Sequence, residues 1–71
     1  MTLLALDTDN CWHVLETEDV KYDPDDRTLT ICTFSGTEYD VEEIDRYSAE
    51  DLIRTLFASG RAELPMSFRI E

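Results

Sequence analysis

Few of the 71 residues carry side chains able to do chemistry beyond acid–base exchange. Cys11 and His13, the single histidine, stand two apart. A thiol and an imidazole can pair as nucleophile and base or ligate zinc. Zinc asks for about four ligands, however, and only Cys32 remains of the same kind. On a strand the pair would share a face with Leu15, so partial burial or exposure accounts for both. Asp7 and Asp9 begin like a calcium loop, with Glu18 at the twelfth position. Cys11 and Trp12 then fall where an oxygen ligand and a glycine are required. Asp23-Pro24-Asp25-Asp26 lacks the downstream ligands as well. No nucleophile elbow, phosphate loop or dinucleotide fingerprint occurs. A chain of this size is also too small to enclose a substrate pocket of roughly 300 Å³ or more without help. The expectation is a protein that is not an enzyme, with no catalytic residue, metal site or cofactor.

What the chain has in quantity is carboxylate. Seventeen Asp and Glu stand against six Lys and Arg, for a formal net charge of −11. Fifteen of the acids fall in residues 1–51, where the only cations are Lys21, Arg27 and Arg46. Direct nucleic-acid binding needs Lys and Arg opposite phosphate, so this balance excludes it, and anionic membranes are disfavoured by the same sign. Basic partners remain. Carboxylates two apart on a strand share a face at about 6.5–7 Å, twice the strand rise. Glu38, Asp40 and Glu42 form such a row, Glu16 and Glu18 a shorter one, and Glu43 and Asp45 follow. That interval is close to the phosphate spacing of a stretched single strand, whose axial rise per base is otherwise about 3.4 Å. A solvated strand face also alternates acid with apolar residues. Adaptation to strong salt would likewise leave one Lys against five Arg on an acid-rich surface. Against both, self-repulsion among so many charges weakens a small fold, which suggests a use for them.

The elements that must position these acids can be read from patterning. Residues 1–71 have room for one domain with a thin core. Leu3 to Leu6 predicts a first strand, closed by Asp7-Thr8-Asp9-Asn10. Trp12 to Thr17 alternates, with Trp12 and Val14 on one face and His13, Leu15 and Thr17 on the other, and Val20 and Tyr22 resume an alternation. Asp23-Pro24-Asp25-Asp26 is a turn. Thr28 to Phe34 predicts a central strand, and Ser35-Gly36 reverses it into a hairpin with Thr37 to Glu42, Tyr39 and Val41 pointing inward. Ser48 as N-cap, Asp51 three residues on, and a staple of Tyr47 on Leu52 predict a helix over about residues 49–59. Leu52, Ile53, Leu56 and Phe57 form its apolar stripe, Glu50 pairs with Arg54, and Gly60 ends it. Leu64, Met66, Phe68 and Ile70 alternate as a terminal strand, at an edge because of Pro65.

The expected fold is α+β: a small antiparallel sheet of four to five short strands, with the helix on one face and the other face free. The first residues, Met1 to Leu6, form too short an apolar run for a signal or a membrane span, so a cytoplasmic, reduced setting with unpaired Cys11 and Cys32 is expected. Size and composition resemble those of small phage-encoded anti-CRISPR and anti-restriction proteins that mimic nucleic acid. The resemblance implies a non-enzymatic inhibitor of a basic nucleic-acid-binding protein. Its binding residues would be Glu16, Glu18, Glu38, Asp40, Glu42, Glu43 and Asp45. Two other readings share the composition. One is a structural domain, such as a homodimer, joined through Trp12, Phe34 or the Met66 and Phe68 edge, its acids serving solubility. The other is an immunity or antitoxin protein blocking a basic toxin.

Overall fold

The computed structural model describes residues 1–71. Strands β1 (Thr2–Leu6), β2 (Trp12–Asp23), β3 (Thr28–Thr33) and β4 (Glu38–Val41) form an antiparallel meander. Helix α1 (Arg46–Ser59) then carries the chain across to β5 (Arg61–Glu63), which lies beside β1. The sheet order is β4-β3-β2-β1-β5. The fold is α+β as expected. The sheet is mixed rather than wholly antiparallel, because the helical crossover delivers β5 parallel to β1.

Aspartates shape the turns. The Asp7 Oδ1 accepts from the Asp9 and Cys11 N–H groups at 2.8 and 2.9 Å, and Asn10 takes a left-handed φ of 63°. The Asp23 Oδ1 likewise accepts from the Asp25 N–H at 2.9 Å, with Arg27 left-handed. Such side-chain bonds offer the backbone a turn in place of a ladder. In the β3–β4 hairpin it is Gly36, at φ 89°, that supplies the reversal.

The two stretches expected around Thr17 and Val20 are one strand of 12 residues. Thr17 opposes Thr33 and Asp19 opposes Cys32, so Glu18 is an extra residue, a β-bulge. It changes the parity of the strand. Leu15 and Thr17 face the core before it, and Val20 and Tyr22 after it. A bulge of this kind bends its strand and increases the local twist.

Helix α1 begins three residues before the expected start. Its N-cap is Asp45, not Ser48: the Asp45 carboxylate accepts from the Ser48 N–H at 3.0 Å. Ser48 is thus the N3 residue of a cap already made. The expected staple does not form, since Tyr47 is exposed, and Phe57 is exposed too. Ala49, Leu52 and Leu56 form the buried stripe. The expected Glu50–Arg54 pair is replaced by Arg46–Glu50 and Asp51–Arg54. Gly60, at φ 77°, ends the helix with its N–H on the Leu56 carbonyl at 2.7 Å.

The expected strand from Leu64 to Ile70 is also corrected. Beyond Glu63 the chain leaves the ladder at Pro65, which has no N–H to donate, and turns with the Phe68 N–H on the Pro65 carbonyl at 2.9 Å. Met66 is exposed, while Leu64 and Ile70 are buried. Ile70 bridges Asp7 at the β1 edge and Val41 at the β4 edge. Its N–H donates to the Leu6 carbonyl at 3.0 Å, and that of Glu71 to the Asp40 carbonyl at 3.1 Å. The two ends of the sheet are thereby drawn together, so it curls like an incomplete barrel. Leu3, Ala5, Leu15, Val20, Leu29, Ile31, Val41, Ile44, Leu64 and Ile70 fill the inside with the helix stripe. No buried side-chain polar atom lacks a partner.

Candidate functional site

Because the core lies inside the curl, the second face of the sheet is its convex, outer side. The strand registers order its side chains. Thr2 pairs with Glu16, and the Phe34 N–H donates to the Glu16 carbonyl at 3.1 Å, extending the β2–β3 ladder by one residue. Next, Asp19, Cys32 and Glu38 lie abreast on β2, β3 and β4, followed by Lys21, Thr30 and Asp40. Glu38 and Asp40 are about 6.5–7 Å apart along β4, and Asp19 stands about 9.5 Å from Glu38 across β3. β3 contributes only Thr28, Thr30 and Cys32 between them, all short. The Thr30 hydroxyl donates to the Asp40 Oδ1 at 3.0 Å, and the Cys32 thiol approaches the Glu38 Oε1 at 3.9 Å.

Four of the seven expected residues belong to this region. Glu16, Glu38 and Asp40 are exposed on it, and Glu18 projects from the bulge at its middle. The other three do not continue the row. β4 ends at Val41, so Glu42 lies past the strand, and Glu43 is left-handed at φ 57°. Both border a shallow depression with Arg69 and Glu71. Asp45 is half-buried as the helix cap. Its carboxyl is held below the usual value by the hydrogen bonds from Ser48, so its negative charge serves α1. Asp19 is the member that patterning missed. The signal lay in the spacing of the core residues Thr17 and Val20, three apart on a strand whose period is two.

Ion pairing leaves this face unneutralised. The Arg46–Glu50 and Arg54–Asp51 ion pairs and the Asp7–His13 hydrogen bond all lie off it. Lys21 is the one cation among these carboxylates and makes no ion pair. Two unit charges about 7 Å apart in water repel by only about 0.6 kcal/mol. A solvated row is therefore tolerable, but dehydrating it without incoming cations is not.

At the other end of the face the residues turn apolar. Leu4 pairs with Val14 and Leu6 with Trp12. Trp12 is 52% exposed, Val14 64% and Phe34 68%. The nearest approach to catalytic geometry lies at the adjoining turn. The Asp7 Oδ2 and the His13 Nε2 are 2.7 Å apart, and this bond, with the Cys11 N–H next, holds the Asp7 carboxyl below its usual value. The Cys11 thiol points instead to the Asp9 carbonyl at 3.9 Å, so the three do not form a relay. Cys11 and Cys32 are both free thiols. No three His, Cys, Asp or Glu side chains converge as a metal cage, and no helix is long and apolar enough to cross a membrane. No family model, curated protein or solved structure matches the chain.

Proposed function

We propose that this is a non-enzymatic binding protein whose convex acidic face occupies the nucleic-acid site of a basic protein, as an inhibitor of the anti-CRISPR or anti-restriction type. The observation that carries this reading is the outer face of β2 and β4. Glu16, Asp19, Glu38 and Asp40 stand there without a salt bridge, Glu38 and Asp40 at the phosphate-like interval of about 6.5–7 Å. A convex surface of this kind suits a concave basic groove, and a charge of −11 would steer the encounter. An immunity protein against a basic toxin would use the same electrostatics with a different target.

The test is capture from host lysate across a salt series, comparing the protein with a Glu16→Lys, Glu38→Lys, Asp40→Lys variant. The reading expects a basic protein, identified by mass, that is retained at low salt, lost at high salt and absent from the variant. A partner held equally by both proteins at all salt concentrations would overturn it. That result would support the second reading, self-association or docking through Trp12, Val14 and Phe34, which their exposure favours. Phe68, once a candidate for that contact, packs against the core instead.

A further inference from the structure

Resting on the acidic-face reading, we infer that the partner's groove carries aromatic side chains as well as cations, the chemistry of a single-strand nucleic-acid site rather than of a duplex reader. Single-strand grooves combine basic residues that track phosphates with aromatic platforms on which bases stack. The outer face of this sheet holds the counterpart of each. Phe34 lies beside Glu16 through the Phe34 N–H to Glu16 carbonyl bond. Val14 precedes Glu16 by two residues on the same face, and Trp12 by four, about 13 Å. The Phe34 ring thus adjoins a carboxylate as a base adjoins a phosphate, and Val14 extends the apolar surface to the Trp12 ring. Tyr47, Phe57 and Met66 are equally exposed but sit on the helix and the last loop.

The neighbouring charge argues against the other occupants of an apolar patch. A second copy would bring another −11 against Glu16 and Glu18, and an anionic bilayer would be repelled in the same way. An aromatic groove lined with Arg satisfies both halves at once, since Arg stacks on rings and pairs with carboxylates.

The test uses the full chain and two synthetic peptides of equal charge, one alternating Arg with Trp and one alternating Arg with Ala. Affinities are measured by calorimetry at low salt. The Arg–Trp peptide is expected to bind about tenfold more tightly, about 1.4 kcal/mol. In a Trp12→Ala, Phe34→Ala variant the advantage should vanish while Arg–Ala affinity stays unchanged. Both side chains are exposed, and circular dichroism verifies that the variant is folded. Equal affinities for the two peptides, or an advantage that survives the variant, overturn this inference and leave the acidic-face reading standing. Arg–Ala affinity that is unchanged by Glu16→Lys, Glu38→Lys, Asp40→Lys overturns the acidic-face reading itself.

Discussion

Individual acids in this chain have different employers. Asp7 and Asp45 serve their own backbone: Asp7 binds the Asp9 and Cys11 N–H groups and His13, and Asp45 binds Ser48. Glu16 and Glu38 make no such bond to backbone, whereas Asp19 accepts from the Val20 N–H at 2.9 Å and Asp40 from the Thr30 hydroxyl at 3.0 Å. Both Asp7 and Asp45 are lowered from 3.8 in the folded protein. A depressed folded value stabilises above the unfolded value and is lost as pH falls through the folded one. Asp7→Asn and Asp45→Asn should therefore lower the melting temperature at neutral pH. The deficit should shrink below about pH 4, where these carboxylates take up protons in the unfolded chain, and vanish at lower pH, where the native ones protonate too. Thermal melts against pH check this by difference from the parent, which cancels the relief of repulsion among the remaining acids. A deficit that is constant with pH would mean the two groups act through shape and not charge. At neutral pH, Glu38→Gln should leave the melting temperature unchanged or raise it.

At the scale of elements the bulge and the closing segment matter most. Glu18 sets which side chains of β2 enter the core, and a shift of one residue would turn half the strand inside out. Removing Glu18 should abolish cooperative unfolding, whereas Glu18→Ala should retain it; denaturant titration distinguishes them. Ile70 links the β1 and β4 edges while it is itself 2% exposed. Ile70→Ala should cost about 2–5 kcal/mol, a large share of the roughly 4–11 kcal/mol expected for a chain of this length. Chemical denaturation measures it directly. These two features also mark the limit of what patterning could reveal. The strand stretches between Leu3 and Val41 and the β3–β4 hairpin were legible because period-two alternation and Asp- or Gly-bearing turns are local signals. The Ile70 closure and the parallel β5 pairing join residues far apart in sequence, and no local signal specifies them. Ser48 and Asp45 are equally good cap residues by local preference. Asp45 prevails because Ile44, fully buried, anchors the chain one residue earlier, its N–H on the Arg27 carbonyl and its own carbonyl accepting from the Tyr22 hydroxyl.

For the molecule as a whole, the distribution of charge over the two faces is the feature with functional weight. An interface of ordinary size takes about 800 Å² from each partner, roughly a sixth of the 4511 Å² available. The outer face of β2, β3 and β4 with the Trp12 end is the candidate to supply it, and the inner face is committed to the core. Part of this was visible in sequence, where Glu16, Glu38 and Asp40 stood out at strand spacing. That Asp19 joins them, and that Glu42, Glu43 and Asp45 leave the row, depends on the bulge and on where β4 ends. The most direct measurement of the central claim is the affinity for the Arg–Ala peptide as a function of salt, for the parent chain and for Glu16→Lys, Glu38→Lys, Asp40→Lys. The account predicts affinity that falls steeply with rising salt in the parent and is lost in the variant while its circular dichroism is unchanged. Affinity independent of salt, or equal in the two proteins, would contradict it.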